Sequence, residues 1–198
     1  MGVEERMADR CNTIRLYSFQ TDVVYQVLKR DGVCYSKEEY VRKKYKESAK
    51  VFINAYGWFV KEAQHIGPKP EGAEYPYWAF TDLYNVDQTG DGHVLTLDVP
   101  IGEAILFDMF DWTKIMQMHY IGENESEEAT FSEELKNMGM NEFQIMTSNF
   151  YPEQKARIQE SWKRLFGHQQ AIEAGDNSGV HSVQAGLWCI KDEWIVKE

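Results

Sequence analysis

The sequence predicts an α+β fold: one domain with a mixed or antiparallel sheet flanked by helices. Three observations carry this. Runs of β-branched and aromatic residues stand near both ends of the chain, at Thr13–Phe19 and Val180–Ile190. Runs with helical spacing lie between them without a regular strand–helix alternation. The 198 residues, 43% of them hydrophobic, are enough for one full-sized core, and no internal repeat or low-complexity linker divides them.

Residues 1–12 are polar and are expected to fray, leaving 13–198 as the domain. In Thr13–Phe19, Ile14, Leu16 and Ser18 alternate with Arg15 and Tyr17, a strand pattern. Thr21-Asp22 starts a helix carrying Val23, Val24, Val27 and Leu28, and Gly32 stops it. Residues 33–45 read as loop. Lys46–Ile66 places Ala49, Phe52, Ile53, Tyr56, Phe59, Val60 and Ala63 at spacings of three and four, a helix ended by Gly67-Pro68. Tyr75–Leu83 reads as a strand with Tyr75 and Tyr77 on one face and Trp78 on the other. His93–Val99 and Ala104–Phe107 are further strands, and Asp108–Tyr120 is helical. Residues 123–134 hold six Glu and no Lys or Arg, which predicts a solvated, mobile segment. Pro152–Phe166 is a helix with Pro in its first turn, and Val180–Ile190 is one late strand.

Charge and cysteine content exclude several functions. The formal net charge of −11 disfavours long nucleic acid and anionic membranes as partners. No apolar run approaches the roughly 20 residues of a membrane span, and no secretory signal is visible. Three scattered Cys without a CxxC pair suit a reduced, cytoplasmic protein. The five His show no metal-ligand spacing, so no metal and no cofactor are expected. Asp87–Asp98 resembles a calcium loop in spacing, but it ends in Asp and runs into a strand, so it reads as a polar hairpin tip. No GxSxG, Walker or GxGxxG motif is present.

Two features point to a small anionic ligand. Residues 29–50 hold eight cations against four acids, with Arg42 and Lys43 ahead of a helix start, where free backbone N–H groups also attract phosphate. Tyr56, Tyr77 and Trp78 offer flat rings that can sandwich a base.

The runs IRLYSFQTDVVYQVLKRDGV (14–33), AYGWFVKEA (55–63), YPYWAF (75–80), LTLDVPIGEAILFDMFDW (95–112), SWKRLF (161–166) and VQAGLWCI (183–190) together resemble a bacterial and phage family described as domain of unknown function 3841. More remotely, LYSFQTDVVYQVLKRDGV is similar to the opening of ADP-ribosyltransferases of the DNA-modifying toxin type. That resemblance implies that Ser18 with Gln20 grips a ribose, aided by Gln184 on the late strand. It also implies a glutamate where this chain has Gly186, so transferase activity would be lost while affinity is kept.

The expected function is therefore capture of a small phosphorylated nucleotide, of ADP-ribose or cyclic type, in a cleft between the opening and closing strands. Small acidic phage proteins that take up host immune signals share this profile by analogy. Arg15, Arg42 and Lys43 would pair with phosphate; Ser18, Gln20 and Gln184 would bond ribose; Tyr56, Tyr77 and Trp78 would hold the base. The alternatives are an active transferase using Asp108, Asp111 or Glu193, and a protein- or RNA-binding module built on a small barrel. A homodimer is the expected assembly.

Overall fold

The computed structural model describes residues 12–45 and 49–197. Strand β1 (Thr13–Gln20) leads into α1 (Asp22–Asp31), which starts after Thr21 and stops where Gly32 adopts φ 75°, a left-handed conformation favouring glycine. Then come β2 (Val33–Tyr35), α2 (Glu38–Tyr45), α3 (Ala49–Ala63), β3 (Tyr77–Phe80), β4 (His93–Pro100) and β5 (Ala104–Asp108). Helix α4 (Met109–Met116) follows β5 without a linker. Helices α5 (Glu125–Asn137), α6 (Glu142–Thr147), α7 (Pro152–Ser161) and α8 (Gln169–Glu173) precede β6 (Val183–Leu187) and β7 (Cys189–Lys191).

The result is an α+β domain on a five-stranded sheet of order β4-β1-β3-β6-β5. Every pairing in it is antiparallel. The sheet does not close into a barrel, because β4 and β5 are its two edges. Strand β3 stands between the opening and closing strands, which puts β1 and β6 about 10 Å apart. The cleft expected between them is filled by a strand.

One sheet face carries Trp78, Ile105 and Phe107, packed under Phe59, Trp112, Ile115, Leu135, Ile145 and Trp162 from the helices and the turn after α7. The other carries Leu16, Tyr77, Ala79, Leu97, Leu106, Ala185 and Leu187, packed under Leu28, Ile172 and Ile190. Both edges are covered by the same chain. The Gln169 side chain imitates a neighbouring strand at β5: its Oε1 accepts from Leu106 N–H and its Nε2 donates to Ala104 C=O at 3.2 Å. At β4, Val196 N–H donates to Thr96 C=O at 2.9 Å.

Several expectations need correction. Residues 33–45 are not loop: Val33–Tyr35 pairs with β7, and Glu38–Tyr45 is helical. Three-residue strands formed by distant pairing leave no periodic signature. The acidic segment is not a mobile stretch but the body of α5, capped by Asn124 and anchored by buried Phe131 and Leu135. Its Glu127, Glu128 and Glu134 meet Arg164, Lys114 and Arg157, cations distant in sequence. The late strand is two strands in two sheets, with Trp188 between them donating to Gly67 C=O at 2.8 Å. Tyr75 falls outside β3, and Pro76 turns it onto the Trp78 side, opposite Tyr77. Helix α4 ends at Met116, two residues before Met118 takes φ 63°. Among the described residues, no helix is long and apolar enough to cross a membrane.

Candidate functional site

Strand β5 hands its last residue, Asp108, directly to α4 as the N-cap. Asp108 Oδ1 accepts from Phe110 N–H at 3.0 Å and Ser182 N–H at 3.4 Å. Its Oδ2 accepts from His181 N–H at 3.1 Å and lies 2.8 Å from His181 Nδ1. The pairing Asp108↔Val183 of β5 with β6 brings residues 181 and 182 alongside. Burial alone would push the Asp108 carboxyl up, but the His181 bond and the three backbone N–H groups outweigh it and hold the group below the ordinary carboxylate range. An ionised carboxylate only accepts, so Nδ1 carries the proton facing it, and Nε2 is the ring nitrogen turned away from Asp108. The Asp108 side chain is 5% exposed and that of His181 72%. A fixed, buried acid thus orients an imidazole that faces solvent.

One ring borders this imidazole. The Phe110 ring lies 4.7 Å from it, tilted by 31°, and is half exposed. Asn85 Nδ2 donates to Ser182 Oγ at 2.7 Å, which ties the Leu83–Asn85 turn to the same end. That turn presents Tyr84, 92% exposed. Asp111 sits three residues beyond Asp108 on α4, its side chain 19% exposed and 3.8 Å from Lys114 Nζ. Burial pushes its carboxyl up; the Asp108 charge adds to this, while Lys114 and His168 oppose it. No three His, Cys, Asp or Glu side chains form a metal-binding group among the described residues.

The nine residues expected from sequence do not converge on one site. Ser18 is fully buried; its Oγ donates to Trp78 C=O at 2.7 Å and accepts from Gln20 Nε2 at 2.8 Å. Gln184 is buried on the sheet between Phe80 and Phe107. Tyr77 is buried on the opposite face from Trp78, its hydroxyl 3.1 Å from Cys34 Sγ. Arg15 is exposed and bound to Asp98 on β4. Arg42 is bound to Glu38 one turn earlier, and Lys43 follows it on exposed α2. Lys46 and the side chains of Lys44 and Lys50 lie outside the described residues.

Arg42, Tyr56 and Trp78 do fall in one chain of contacts. Glu38, which holds Arg42, accepts from the Tyr75 hydroxyl at 3.2 Å. The Tyr75 ring meets Tyr56 at 5.4 Å, and Tyr56 accepts from Trp78 Nε1 at 2.9 Å. Burial, with the Glu38 charge, pushes the Tyr75 phenol up to about 12, so it stays a donor.

A groove of about 400 Å³ at Tyr120, Arg157, Glu160, Ser161 and Arg164 has its arginines engaged by Glu134, Glu123 and Glu127.

The family model described as Domain of unknown function (DUF3841) matches residues 15–196. The chain belongs to that family. The matched span of this DUF3841 member takes in the whole Asp108–His181 end and the α2 contact chain. No curated protein and no solved structure matches the chain.

Sequence reasoning named Asp108 and Asp111 only as spare carboxylates and set His181 aside as solitary. The pair is 73 residues apart, so no local spacing marks it. The one local signal was an Asp leading a helix with a second Asp three residues on.

Proposed function

We propose that the protein binds a small ligand of nucleotide type, carrying a flat ring, at the Asp108–His181 end of the sheet. One observation carries this: an imidazole held by a buried carboxylate is exposed beside exposed Phe110. Fixing a histidine while leaving one nitrogen open suits a group that accepts a hydrogen bond or proton from a bound molecule. A ring stacked on Phe110 or Tyr84 gains about 1–3 kcal/mol. Asp108 and Asp111 stand at this end, and Lys114 is held by Glu128 at 2.6 Å. The site therefore reads base and sugar rather than phosphate.

The test is calorimetric titration with nucleosides, nucleotides, ADP-ribose isomers and cyclic dinucleotides, alongside NMR of the His181 ring. Binding with a perturbed His181 resonance, weakened about tenfold or more in His181→Ala, is the expected result. No heat with any member of the panel overturns the proposal.

A second reading places phosphate capture at α2, favoured by the contact chain from Arg42 through Glu38 and Tyr75 to Trp78. There the anion would displace Glu38 from Arg42. Arg42→Ala should then weaken a phosphorylated ligand by about 1.5–3 kcal/mol and leave its unphosphorylated nucleoside unchanged. Equal affinity in wild type and variant removes this reading.

A further inference from the structure

We infer that the Asp108–His181 end hydrolyses a glycosidic bond, with His181 as general base toward water and Asp111 as general acid toward the leaving group. This rests on the ligand-binding reading above and adds turnover to it.

The geometry supplies the two groups from segments distant in sequence, the first turn of α4 and the residues leading into β6, which the Asp108↔Val183 pairing brings to one end of the sheet. His181 has its Nδ1 committed to a carboxylate that three backbone N–H groups hold, so Nε2 is the nitrogen that takes a proton. Asp111 lies one helical turn from Asp108, largely shielded from water and near a second negative charge, which favours its acid form. An imidazole with one nitrogen held and the other open, beside a shielded carboxyl, supplies the acceptor and the donor that acid–base hydrolysis needs.

The sign of the surrounding charge selects the bond. Phosphoryl and acyl transfer build negative charge on oxygen and need cations or free N–H donors. Here the N–H groups of Phe110, His181 and Ser182 are bonded to Asp108, and Met109 N–H donates to Ser182 C=O at 2.8 Å. Lys114 is bound to Glu128. Cleavage of a glycosidic bond instead builds positive charge at the sugar carbon, which the Asp108 carboxylate favours, joined by Asp111 as it gives up its proton. The exposed faces of Phe110 and Tyr84 suit a flat aglycone or a sugar ring.

The step balances with water as co-reactant. Water gives a proton to His181 Nε2 as its oxygen bonds to the anomeric carbon. The bond to the aglycone breaks with its electron pair moving to the departing atom, which takes the Asp111 proton. His181 then returns its proton through solvent to Asp111. Asp108 lies buried behind the imidazole and cannot attack, so the configuration at the sugar carbon inverts.

The experiment uses the full chain with ribonucleosides and 4-nitrophenyl glycosides, following free aglycone by chromatography and absorbance, with calorimetry in parallel. Release of aglycone with the inverted anomer seen first by NMR is expected. His181→Gln should lower turnover by about 100-fold or more while binding persists. Asp111→Asn should lose a similar factor on nucleosides, whose base needs a proton to leave, and far less on 4-nitrophenyl glycosides. That contrast between leaving groups separates a catalytic role from a folding defect. Binding without release overturns turnover and leaves the binding reading intact. Neither binding nor release ends both.

Discussion

Gly186 lies against the Phe59 ring so closely that a Cβ there would come within 2.8 Å of Phe59 Cζ and 3.1 Å of Cε1. The ring has little room to yield, since Phe59 is fully buried and meets Trp78, Trp112 and Phe166 at centroid distances of 5.1–5.6 Å. Packing alone explains a glycine at this point of β6. The position where the resemblance to transferases would place a catalytic glutamate faces a wall of aromatic carbon.

Gly186→Ala is therefore expected to destabilise the fold by about 1–3 kcal/mol through overpacking. Phe59→Leu, itself destabilising, should reduce the cost of the alanine when the two are combined. Urea unfolding of the single and double variants measures this, and purely additive losses would show that the ring is not the obstacle.

Asp108 is expected to make stability depend on pH. Its folded pKa is depressed, so its contribution is present above the ordinary aspartate value near 3.9 and is lost as pH falls through the lower folded value. Asp108→Asn should cost about 1–3 kcal/mol at pH 7. The gap between wild type and variant should narrow below about pH 4. Denaturant curves from pH 3 to 7 test it; a gap that does not change with pH would mean that the charge contributes nothing.

Gln169 serves as a substitute strand for the β5 edge. Gln169→Leu removes both bonds and leaves Leu106 N–H without its acceptor, at a cost of about 1–3 kcal/mol. The bared edge should also promote self-association. Light scattering of the variant at rising concentration reads this directly, and a stable monodisperse variant would contradict it.

The Cys189 thiol is pushed up to about 11 by burial, and Cys34 is buried beside the Tyr77 hydroxyl. Neither should react with iodoacetamide at pH 8 until the chain is denatured. Peptide mass mapping distinguishes both from Cys11. Rapid labelling of either in the native protein would contradict their burial.

The strands and caps that declare themselves locally were legible in sequence. Ile14, Leu16 and Ser18 do share a face, and Thr21 and Gly32 do bound α1. Pro152 does open α7. What escaped depends on partners far away. The glutamates of α5 look unneutralised until Lys114, Arg157 and Arg164 fold against them. Trp188 hides a break between two sheets inside one apolar run. Two of the aromatic residues read as a ligand sandwich pack on each other instead: Tyr56 meets Trp78, and also Tyr75, edge to face. His181 gains its meaning only from a carboxylate on another strand.

The register of β5 against β6 is what joins that carboxylate to its imidazole. A nascent chain that has emerged only through Asp108 holds the acid without its histidine, and a slip of two residues would part them while keeping every apolar side chain on its proper face. Any reactivity of this end thus reports that the last large strand has docked in frame, and a folding experiment could use its onset as a clock for that event.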